Sequence, residues 1–162
     1  RGQCVIAVPQ AFGSKEVHGE EPKDVLCMSY LALSRGVKGL LYYTWYDNPR
    51  EGAYHWPETR KVVAQVIKEV RECQDSLHAP GARELVSSDR RVLARLCGDG
   101  GNGRVLLAVN GTEKDSVATL SLPELVGKSI EPLFGSPAAT VGKDGLLKLS
   151  LSAEHRAVWR VR

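Results

Sequence analysis

The sequence predicts an α/β plus all-β chain, and three observations carry that prediction. Apolar runs at Cys4–Phe12 and Val37–Tyr43 flank a helix-forming stretch that opens on Pro22. A second proline, Pro57, opens a long stretch whose apolar residues recur at helical spacing. Beyond Pro80 the apolar period falls to two, and short runs alternate with turn residues.

The first run, "CVIAVPQAF", is nearly continuous in apolar residues and suits a strand buried on both faces. After "GSKEVHGEE", Pro22 takes the first helical position, where a missing N–H does no harm. Glu20 and Glu21 put negative charge at that helix start. "PKDVLCMSYLALSR" supplies helix formers, and Gly36 is a natural stop. Val37–Tyr43 reads as a second buried strand, on which Tyr42 and Tyr43 point to opposite faces.

In the second helix Val62, Val63, Val66, Ile67, Val70 and Leu77 share a face. Glu58, Arg60, Lys61, Lys68, Glu69, Arg71 and Glu72 fall opposite. Trp56 reads as the apolar staple of the helix start, and His55 as a surface residue. Two strands joined by a helix run parallel. Such a pair is not stable alone, so a missing N-terminal segment or a partner chain is expected to complete the sheet.

After the Pro80-Gly81 boundary, "RVLARLC" and "RVLLAVN" flank "GDGGNG", a hairpin signal. "SVATLSL", "KSIEPLFG", "LLKLSLS" and "RAVWRVR" follow at short intervals, the pattern of an antiparallel β-sandwich. Leu147, Leu149 and Leu151 should face inward, and Trp159 belongs to the core. The expected division is residues 1–80 and 81–162.

Composition narrows the function classes. The 162 residues are 43% hydrophobic and 25% charged, with net charge +3 and a pI of about 8.7. The basic residues form no run, which argues against nucleic acid as a partner. No apolar stretch approaches the roughly 20 residues of a bilayer span, so no membrane partner is expected. The chain begins at Arg1 and its one Met is Met28, which reads as a piece of a longer protein. Secreted and cytoplasmic locations both stay open.

Cys4, Cys27, Cys73 and Cys97 have neither CxxC spacing nor a nearby His, so no metal is expected and buried thiols are the preferred reading. A Cys4–Cys27 bridge stays open for a secreted protein. No cofactor is expected. Asn110-Gly111-Thr112 matches a glycosylation triplet, but its Asn-Gly reads better as a hairpin turn. His18, His78 and His155 have no constellation around them.

The run "CVIAVPQAFG", a helix carrying "MSYLALSRGVKG" and a strand ending in Tyr-Thr-Trp resemble the last two βα units of a glycoside hydrolase (β/α)8 barrel. The long helix and small β-sandwich that follow are similar to what commonly comes after such barrels. The resemblance is at the level of the superfamily. It implies that the C-terminal strand ends face a carbohydrate substrate, with Gln10, Phe12, Trp45 and Asp47 as substrate-binding candidates. A flat aromatic such as Trp45 suits the C–H face of a pyranose; core packing is its other reading. Asp47 divides equally between capping a turn in "YDNPRE" and contacting a sugar hydroxyl.

Glycoside hydrolysis ordinarily takes two carboxylates, about 5 Å apart for retention and wider for inversion. The resemblance places a nucleophilic Glu at the end of the penultimate strand, where this sequence has Gln10. An amide cannot be nucleophile or acid, so the catalytic residues stay unassigned and the chain by itself is expected to be inactive. The alternative is a non-catalytic carbohydrate-binding or scaffold protein on the same fold.

Overall fold

The computed structural model describes residues 4–11, 21–43, 56–99 and 103–162. The chain order is β1 (Ile6–Ala7), α1 (Pro22–Ser34), β2 (Gly39–Leu40) and α2 (Pro57–His78). There follow β3 (Arg83–Leu85), β4 (Val92–Cys97), β5 (Arg104–Asn110), β6 (Ser116–Ser121), β7 (Ile130–Leu133), β8 (Leu146–Leu151) and β9 (Arg156–Val161). The strand–helix–strand–helix order and the antiparallel second half are both present.

β1 and β2 pair in parallel, Ile6 with Gly39 and Ala7 with Leu40. The register continues past the strands to a Gln10–Tyr43 bridge. The Leu41 N–H donates to Ala7 O at 2.9 Å, and the Ala11 N–H to Tyr43 O at 2.7 Å. Pro9 has no N–H to give, and its carbonyl accepts from Tyr43 N–H at 3.2 Å.

The expectation of strands buried on both faces is corrected. Val5, Ile6, Val8, Leu41 and Tyr43 are each more than half exposed. Helices cover one face only, because Pro9 and Ala11 are buried while Tyr42 packs with Val25, Met28, Val62 and Val63.

Both helices begin on the expected prolines. Asp24 accepts the Glu21 N–H at 2.8 Å, closing the first turn of α1. Gly36, at φ +80°, ends it in the left-handed conformation that L side chains resist. The buried face of α2 is Thr59, Val63, Val66, Glu69, Cys73 and Ser76. Two assignments on this helix change. Ile67 is 42% exposed, and Glu69, expected to face solvent, is 5% exposed. Trp56, expected to staple the helix start, is 38% exposed.

The antiparallel strands form a five-stranded sheet in the order β3-β4-β5-β9-β7 and a two-stranded sheet, β6-β8. Between the sheets lie Ala94, Leu96, Leu106, Leu120, Leu147, Leu149, Leu151 and Trp159, all buried. Trp159 is wholly enclosed, and its indole N–H donates to Pro137 O at 2.8 Å. The alternation expected in "LLKLSLS" is present.

The other face of the large sheet is also covered. Cys97, Val105, Leu107, Val109 and Val158 meet Cys27, Tyr30, Leu33 and Cys73 of the two helices. One apolar cluster thus spans both sides of residue 80. β5 is apolar on both faces for this reason. Of the arginines that alternate with Trp159, Arg156 is buried against the helices, while Arg160 pairs with Glu72 of α2 at a partly exposed position.

Candidate functional site

The C-terminal ends of β1 and β2 position the candidate residues. Gln10 and Tyr43 are register partners and lie on the same face, beyond Val8 and Leu41. Gln10 is half-buried and Tyr43 is 53% exposed. Tyr42 faces the opposite way, where its hydroxyl lies 2.8 Å from Ser29 Oγ. Burial pushes the Tyr42 phenol up, and the Ser29 hydrogen bond offsets part of that. Of the two tyrosines, Tyr42 is packing and Tyr43 is the one presented to solvent.

α2 brings a further aromatic to this end. Val62 and Val63, in its second turn, pack with Ala11 and Tyr42. Trp56, immediately before the helix, is exposed on that side of the molecule. Sequence reasoning assigned it to packing. The exposure of Tyr43 and Trp56 follows from which face each element buries, and that is set by distant partners.

Phe12, Trp45 and Asp47 lie outside the described residues. Of the four site candidates, the structure therefore places Gln10 alone. What stands at the described strand ends is an amide and a phenol at the mouth of an apolar surface. An amide both donates and accepts hydrogen bonds, and a phenol adds a flat face with a polar tip. No carboxylate occurs among the described residues 4–11 and 37–43, so proton transfer is not available from these alone. The four cysteines are free. Cys4 is exposed, contrary to its expected burial, because β1 has one open face.

The most polar buried group lies elsewhere. Glu69 accepts from Tyr30 Oη at 2.5 Å and from Arg156 Nη2 at 2.5 Å. Gln65 Nε2 donates to the same carboxylate at 2.8 Å, and Arg156 Nη1 to Phe134 O at 3.1 Å. The Arg156 guanidinium also stands 5.3 Å from the Tyr30 ring centroid. The group is buried, and its bonds tie α1, α2 and β9 together.

Asn110 is the second buried polar centre. Its Nδ2 donates to Lys114 O at 2.7 Å and Ser152 O at 2.9 Å, and its Oδ1 accepts from Thr112 N and Oγ1. The side chain is wholly enclosed. This leaves no free amide for a glycan, but the hairpin reading is corrected: β5 and β6 lie in different sheets, and the segment crosses between them.

No protein-family model matches the sequence, and no curated protein sequence matches it significantly. Solved structures do share the fold. An α-amylase from Geobacillus thermoleovorans, complexed with acarbose, aligns with a TM-score of 0.62 at 15% identity, covering 88% of this chain and 34% of that one. A Nostoc punctiforme debranching enzyme soaked with acarbose gives 0.60 at 16% identity, covering 85% and 29%. AmyP in complex with maltotriose gives 0.58 at 8% identity, covering 97% and 41%. The chain resembles these amylase-type glycoside hydrolases in fold, and it spans about a third of their length.

Proposed function

We propose that this chain is the C-terminal part of a glycoside hydrolase acting on the glycosidic bonds of a carbohydrate. In this reading β1–α1–β2–α2 are the last two βα units of a (β/α)8 barrel. The two antiparallel sheets are its β-sandwich, with the division near residue 80. The observation that carries the reading is the parallel strand pair with one open apolar face, ending in Gln10 and Tyr43. Such a face is what the interior of a barrel wall presents when its other strands come from elsewhere in the protein. The likeness to about a third of several amylase-type structures supports it.

The substrate would meet the C-terminal strand ends. Gln10 there offers hydrogen bonds to sugar hydroxyls. Phe12 stands two positions beyond Gln10 in sequence and Trp45 two beyond Tyr43, and each would offer an aromatic surface to the substrate. Asp47 serves as a hydroxyl contact or a turn cap. The catalytic carboxylates would lie on strands outside this chain.

Hydrolysis of a panel of aryl glycosides tests the reading. The protein that carries this chain should turn over at least one member, and an Asp or Glu at an upstream strand end should be essential. The 162 residues alone should turn over none. If no member is hydrolysed but sugars still bind, the second reading holds: a non-catalytic carbohydrate-binding protein, favoured by the amide at Gln10.

A further inference from the structure

Where β5 begins and β9 ends, a groove of about 560 Å³ opens, lined by Arg104, Lys128, Arg160, Arg162, Glu124 and Leu125. It lies near the last turns of α2, because Ser76 Oγ donates to Gly103 O and Arg160 pairs with Glu72. Val63, which packs near the strand ends, is 13 residues earlier on that helix, about 20 Å away. The groove is therefore remote from Gln10 and Tyr43.

Its charges are unequal. Glu124 pairs with Arg83 outside the groove, Arg160 with Glu72 at 3.6 Å, and Arg162 with Glu131 at 2.9 Å. Neither Arg104 nor Lys128 forms a salt bridge among the described residues, although the Arg104 charge acts on the Glu124 carboxylate beside it. Asp99 lies in the adjoining depression that shares Arg104 and Glu124. The Arg160 and Arg162 bridges are solvent-exposed and weak, so both side chains can turn toward a ligand.

We propose that this groove binds a small molecule carrying a phosphate group. Arginine forks match phosphate oxygens two at a time, and lysine adds a point charge. The volume exceeds a bare phosphate and falls within the usual range for small-molecule sites, about 300–1,000 Å³. The methylene stem of Lys128 gives an apolar wall for the rest of the ligand.

Calorimetric titration of the 162-residue chain at fixed ionic strength tests this, with glucose 6-phosphate, inorganic phosphate and glucose as probes. Glucose 6-phosphate should bind, inorganic phosphate should compete with it, and glucose should give no heat above dilution. The R104Q/K128Q variant should weaken binding by roughly tenfold or more, while R104K/K128R, which keeps the charges, should restore it. Thermal unfolding of both variants checks that they fold. The proposal is overturned if glucose 6-phosphate fails to bind, if glucose binds as well, or if folded R104Q/K128Q binds undiminished.

Discussion

Glu69 shows how far single residues can be read. Its charge assigns it to the wet side of α2, yet it follows Val66 by three and precedes Cys73 by four, and so borders the buried face. Its partner Arg156 is 87 residues away in sequence, a pairing that local pattern does not carry. Removing one member leaves a buried charge uncompensated, so R156A should lose about 3–5 kcal/mol of stability in a urea titration. The volume-matched apolar pair E69L/R156M should lose markedly less.

Two further outcomes belong to this scale. Burial pushes the Cys27 and Cys73 thiols up to about 11, with nearby carboxylates adding, and burial raises Cys97 also. A thiol reagent at pH 8 should therefore label Cys4 alone in the native chain, and all four cysteines in denaturant. Burial, then the Arg156 charge, lowers the His155 imidazole below its ordinary value of 6.5. In acid the unfolded chain thus takes up this proton first. The contribution is full above about pH 6.5 and is lost as pH falls toward the folded value. Stability measured from pH 7.5 to 5 should decline, and H155Q should flatten the slope.

Elements were legible where both local pattern and partners agreed. In β8 the period of two suffices, because one face meets the core and the other meets water. The preceding turn is equally fixed: Gly145 has φ +75°, and a Cβ there would lie 2.8 Å from Pro123 Cα. G145A should cost about 1–2 kcal/mol from the left-handed backbone alone, with the contact adding to it. Its unfolding midpoint should fall without a change in denaturant slope. β3, three residues at a sheet edge, carries too little pattern to be read. β1 and β2 were read correctly as strands and as a parallel pair, but their burial was not, since apolar sequence says that a face needs cover and not that this chain supplies it.

At the scale of the molecule, the order of elements and the change of period near residue 80 were visible in sequence. The apolar cluster joining the helices to β5 and β9 was not, because it depends on which face of β5 meets which layer. The candidate site was legible as residue types at strand ends, and the structure adds that Gln10 and Tyr43 share one face.

The open face of Ile6, Val8, Leu41 and Tyr43 has a direct consequence. The isolated chain should bind a hydrophobic dye such as ANS in its folded state, and V8D/L41K should reduce that signal. Hydrolysis by the protein that carries this chain tests the central claim most directly, comparing it with its W45A variant on its best aryl glycoside. The account predicts turnover by the parent protein, at least a roughly tenfold loss of kcat/KM in W45A with folding intact, and none by the 162 residues alone. Turnover by the isolated chain, or an unaltered kcat/KM in W45A, would contradict it.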